Sequence, residues 1–170
     1  MNIETHFLVD DVVGRVQQAI RAHDQPAITV IEADHELVLV DSTYIFGRSG
    51  ADAYERRVAA EAHRVAANRL ALAVPQIMIT YDDDTVRFRS PLAGPVHDGE
   101  EREAIVWMAY DVEDGVEVEH GVIPYTRRSG APVFTDPDEM VSIPLHPAPG
   151  LPGNTLLRHL LDEDLRPRRP

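Results

Sequence analysis

The sequence predicts an α+β fold: an antiparallel sheet of about five to six strands built from hairpins, packed by two main helices plus a short C-terminal helix. Three observations carry this. Apolar residues recur at helical spacing near both ends of the chain. Between them lie Val- and Ile-rich runs that alternate apolar with polar residues. The runs are joined by short polar turns, and connections that short require antiparallel pairing.

Taken in order, Leu8, Val9, Val12, Val13, Val16 and Ile20 place a helix over about 7–23, ended by Gln25 and Pro26. Two β-rich runs follow, 28–31 and 37–40, with a turn around Asp34 and His35. A second helix is expected over about 51–73, with a narrow, alanine-rich apolar side (Val58, Ala62, Val65, Ala66, Leu70), closed by Pro75. In "IMITYDDDTVRFRS", Ile77, Ile79 and Tyr81 face one side with Val86 and Phe88 as counterparts, and Arg87 and Arg89 face the other. The loop "PLAGPVHDGEE" leads to a second hairpin. There Asp114-Gly115 predicts a two-residue turn, since glycine tolerates the positive φ required. The proline-rich "PLHPAPGLPG" cannot be a central strand. Leu156, Leu157, Leu160, Leu161 and Leu165 share the face of a last helix. The expected organisation is one domain over 1–143, a connector over 144–153, a helix over 154–165 and a loose tail over 166–170. The order of the first seven elements is similar to that of profilin-like and roadblock-type domains. That likeness concerns layout, carries no shared motif and implies nothing about activity.

The 170 residues are 44% hydrophobic and suffice for a buried core. No apolar run approaches the length of a membrane span, and the acidic start "MNIETHFLVDDVV" lacks the features of a signal peptide, so the expected location is cytoplasmic. Without cysteine there is no disulfide, thiol nucleophile or cysteine-ligated zinc. All 16 basic residues are arginine, so lysine chemistry (Schiff bases, the P-loop) is excluded. The net charge of −13 is concentrated: residues 81–120 hold 12 acids against 3 arginines, whereas 121–170 hold six of each. Such a chain repels phosphate backbones, and direct nucleic-acid binding is not expected.

"YDVEDGVEVEHG" (110–121) concentrates this charge. With the turn centred on Asp114-Gly115, Asp111 opposes Val118, Tyr110 opposes Glu119, and Ala109 opposes His120. Glu117 and Glu119 then share a face, with Asp111, Trp107 and His120 on the other. The spacing does not fit an EF-hand loop, so neither metal nor cofactor is expected, and a solvated acidic face is the simpler reading. "VHDGE" imitates a His-Asp dyad but lies in a loop. "GRSG" (47–50) precedes a helix and could present N–H groups to an anion, although an ordinary turn with capping explains it. Ser49 lacks a nucleophile elbow. Glu61 and His63, two apart on a helix, point to different sides. Arg127 and Arg128 read as solvated partners for acids.

These readings converge on a non-catalytic, acidic domain that binds another macromolecule, with a protein, basic in character, expected as the partner rather than a nucleic acid or a membrane, through Asp82, Asp83, Asp84, Glu113, Asp114, Glu117 and Glu119. The alternative is a small-ligand binder or enzyme whose pocket is lined by Arg87, Arg89, Trp107, Asp111 and His120.

Overall fold

The computed structural model describes residues 1–82, 85–97, 99–113, 115–135, 143–146, 148 and 150–162. Among these, the elements run α1 (Ile3–Arg21), β1 (Ala27–Glu32), β2 (Glu36–Asp41), α2 (Arg48–Arg64), β3 (Arg69–Thr80), β4 (Val86–Arg89), β5 (Glu101–Asp111), β6 (Glu117–Pro124), β7 (Thr126–Arg128), β8 (Ala131–Val133), β9 (Ile143–Leu145) and α3 (Asn154–Leu160). Single 3₁₀ turns at Tyr44–Phe46 and Pro91–Ala93 precede α2 and follow β4. The main sheet has the order β2-β1-β3-β5-β6-β9, and β4 also pairs with β3. Its pairings are antiparallel, and β7 and β8 form a separate ribbon. The α+β expectation holds.

Helices cover both faces of this sheet. α1 seats Leu8, Val12, Val13, Val16 and Ile20 on Ile28, Val30, Ala71, Ala73, Ile105 and Trp107. On the opposite face, Val58, Ala59 and Ala62 of α2 and Leu156 and Leu160 of α3 meet Ile31, Leu70, Leu72, Met108 and Tyr110. β1 and β3 are therefore buried on both sides, which is why their sequences are almost continuously apolar. Trp107 lies within the α1-side core.

Several boundaries differ from expectation for identifiable reasons. α1 starts at Ile3 rather than Phe7, because Asn2 caps it by accepting the Thr5 N–H at 2.8 Å. α2 does not reach Ala73: it ends at Arg64, and Arg69–Thr80 is the long central strand. The stop is a Schellman motif in which Ala67 N–H reaches Ala62 O and Ala66 N–H reaches His63 O. Ala66, at φ 50°, occupies the left-handed position usually held by glycine. α1 ends in the same way on His23, at φ 62°. Pro75 ends nothing. β1 pairs with β3 through Ala73 and β4 pairs from Ile77 onward, so on that edge Pro75 sits in a break between two neighbours. A proline there removes no ladder hydrogen bond from that edge.

Both hairpin registers are corrected too. Ile77 pairs with Arg89 and Ile79 with Arg87, so the isoleucines share a face with the arginines, while Phe88 faces Met78. In the second hairpin Asp111 pairs with Glu117, Ala109 with Glu119 and Met108 with His120. The connection is five residues, 112–116, rather than the two of a tight turn, and this moves every partner by one. β9 lies at the sheet edge on β6, where Pro144 is tolerated, and so takes Pro144 and Leu145 from the expected connector. The last helix also stops short of the expected Leu165: it ends at Leu160 with Leu161 as its C-cap, and the expected tail lies outside the described residues.

Candidate functional site

The corrected register brings acidic residues from several elements to one end of the sheet. Arg69 opens β3 directly beside Asp111, the last residue of β5. Its guanidinium reaches Glu4 on α1 at 2.7 Å, Glu32 on β1 at 3.2 Å, Asp111 at 3.3 Å, and Glu113. Asp111 is only 2% exposed. It accepts hydrogen bonds from Thr5 Oγ1 at 2.6 Å, Asn2 Nδ2 at 2.9 Å and the Glu113 N–H at 2.8 Å. A buried carboxylate demands that many donors. Glu117 and Glu119 meet the Met1 ammonium nearby. Six carboxylates against two cations leave this end with a formal charge of −4.

The sequence-predicted residues do not form one surface. Glu113, Glu117 and Glu119 lie at this acidic end. Asp82 follows the far end of β3, about 36 Å away for a strand of this length. Asp83, Asp84 and Asp114 lie outside the described residues. The alternative pocket is divided by the sheet. Trp107 and Asp111 are on the α1 face, but His120 opposes Met108 on the other face, because the one-residue shift reversed its orientation. Arg87 and Arg89 are on β4, towards the Asp82 end, and Arg89 is engaged by Glu101 at 2.6 Å. That contact, followed by the His97 N–H, holds the Glu101 carboxyl down at about 2. His120 is buried, and burial lowers its pKa; its Nδ1 has no hydrogen-bond partner among the described residues. No group of three or more His, Asp or Glu among the described residues could hold a metal ion. Of the remaining sequence candidates, Arg127 pairs with Glu103 at 2.7 Å, Glu61 with Arg64 at 2.6 Å, and His63 Nε2 meets His159 O at 2.9 Å. Asp98 is outside the described residues.

A cleft of about 530 Å³ was not anticipated from the sequence. It lies between the start of α2, the β3–β4 region and the segment leading into α3, and its polar lining includes Arg48, Asp52, Glu55, Gln76, Arg89 and Arg158. Its wall is fixed by Glu55, a buried carboxylate on α2. Glu55 Oε1 accepts from Tyr44 Oη at 2.5 Å and the Gly153 N–H at 2.8 Å, and Oε2 accepts from the Leu156 N–H at 2.8 Å. Burial first, then the Glu55 charge, pushes the Tyr44 phenol well above its ordinary value. Thr155 Oγ1 donates to Asp52 at 2.8 Å. These contacts dock α3 and the 3₁₀ turn onto α2 and hold the cleft open between them. Two signals could have pointed here: the lone glutamine in the apolar run "LALAVPQIMIT", and "GRSG" ahead of α2.

The chain matches no family model, no curated protein and no solved structure. Among the described residues no helix is long and apolar enough to cross a membrane.

Proposed function

We propose that this chain is a non-catalytic binding domain whose acidic end engages a basic surface on another protein. The observation that carries the reading is the charge disposition around Arg69. Glu4, Glu32, Glu113, Glu117 and Glu119 come from the first turn of α1, the end of β1, and the β5–β6 connection and the start of β6. All five retain solvent-facing surface, and their pairing with two central cations holds them in place without cancelling their field. A fixed field costs little reorganisation on binding and accelerates encounter with a partner of opposite charge. The far turn at Asp82 is too remote to belong to the same contact, well beyond the screening length of about 8 Å at physiological salt.

The test is a pull-down at low salt with wild type and with Glu117→Gln/Glu119→Gln as baits, followed by stopped-flow association with the recovered protein. Removing two of the net four charges should slow association by about three- to tenfold at low salt, and the difference should shrink as salt is added. Equal recovery and equal rates for the two baits would refute the acidic end as the contact surface.

A further inference from the structure

We propose that the cleft beside α2 is a binding site for a small organic anion, a phosphate or carboxylate that also carries a neutral hydrogen-bonding group. Gln76 is the key observation. It is 9% exposed and lines the cleft, yet its side-chain amide makes no hydrogen bond to any described residue. Its amide is not among the buried groups left without a partner, so it opens onto the cleft, where it can donate to and accept from a molecule that enters. It is also at the break between β1 and β4, where β3 has no neighbouring strand on that edge to cover it.

The charge of the ligand follows from the rest of the lining. Arg48 and Arg158 are exposed in the cleft and form no ion pair with the described residues, in a chain of net charge −13. The first turn of α2 begins at Arg48 behind Gly47, with no side-chain cap and no acidic residue, so its N–H groups remain available to an anion. The acids in the lining are already engaged: both Glu55 oxygens by Tyr44, Gly153 and Leu156, and Asp52 Oδ1 by Thr155. Guanidinium groups suit the planar or tetrahedral oxygens of carboxylate and phosphate. The volume suits a metabolite-sized molecule.

The experiment titrates the full chain with inorganic phosphate, succinate and glycerol 3-phosphate by calorimetry, and follows the Gln76 side-chain amide and the Arg48 backbone amide by NMR. Tighter binding of succinate than of the two phosphates identifies a carboxylate ligand, and the reverse a phosphate. Glycerol 3-phosphate should bind about fivefold more tightly than inorganic phosphate, and Gln76→Leu should abolish that advantage. Arg48→Ala/Arg158→Ala should weaken all binding at least about tenfold, whereas the remote pair Arg15→Ala/Arg64→Ala should not. The proposal is overturned if none of the probes binds at about 10 mM. It is equally overturned if the Arg48/Arg158 variant binds like wild type, or if the Gln76 amide does not move on binding.

Discussion

Replacing Glu55 by glutamine is the most direct perturbation of the α2–α3 contact. The carboxylate is 3% exposed, with all three of its bonds supplied by donors. Glutamine keeps the shape but offers one accepting oxygen. If that oxygen stays with Tyr44 and Gly153, the new NH₂ points at the Leu156 N–H, donor against donor. The variant loses one charge-assisted bond, about 1.5–3 kcal/mol, and strands a buried N–H at about 1–3 kcal/mol. Relief from burying a charge offsets part of this, leaving an expected loss of about 3 kcal/mol. Urea unfolding with an m value near 1.5 kcal/mol/M would place the midpoint about 2 M lower. Amide exchange at Gly153 and Leu156 should accelerate more than exchange in β3, because α3 detaches before the sheet opens. A loss below about 1 kcal/mol with unchanged exchange at those two amides would refute the assignment of Glu55 as the anchor of α3.

Ala66→Gly should stabilise the fold by about 0.5–1 kcal/mol, since relief of the left-handed backbone exceeds the added unfolded-state entropy; equilibrium unfolding reads the sign directly. Glu101→Gln should be less stable than wild type at neutral pH. A carboxyl held at about 2 when folded, against 4.5 when free, contributes stability above the free value, and that contribution is lost as pH falls through the folded one. The two stability curves should therefore converge between those pH values. His120 has its pKa lowered by burial, so the unfolded chain takes up its proton first and wild type loses stability as pH drops below about 6.5. His120→Leu should flatten that slope, and an NMR titration of His120 that midpoints at or above 6.5 would contradict it.

The α+β layout was readable because α1 carries a clear helical period, while β1 and β2 are short Val- and Ile-rich runs joined by a polar turn. Errors arose where a local signal pointed two ways. Leu70, Ala71, Leu72 and Ala73 fit either a small-residue helix face or a strand buried on both sides, and with alanine rather than glycine at the left-handed stop nothing local separated them. Asp114-Gly115 matched a tight turn, but the connection uses five residues, and that single count put Glu117 and Glu119 on the face of Asp111 and parted Asp111 from His120. The acidic end was half visible: Glu113, Glu117 and Glu119 stood out as a run, while Glu4, Glu32 and Arg69 join them only through the pairing of β1, β3 and β5. The cleft went unread for the same reason: Gln76 and the "GRSG" turn are distinctive singly, but the lining joins them only by bringing three separate parts of the chain together.

The divided edge of β3 also bears on how the molecule comes apart. Its first half is zipped to the β1–β2 hairpin and its second half to β4, with Pro75 between them contributing no amide hydrogen. Fraying that begins at β4 meets no continuous ladder along this edge by which to spread into β1, and fraying from β2 stops at the same place. β5, paired along nearly the whole of β3, is the element that ties the halves together. The protein should thus open in two steps on this side, β4 with its flanking loops first, while the β1–β3–β5 centre under α1 remains closed until global unfolding.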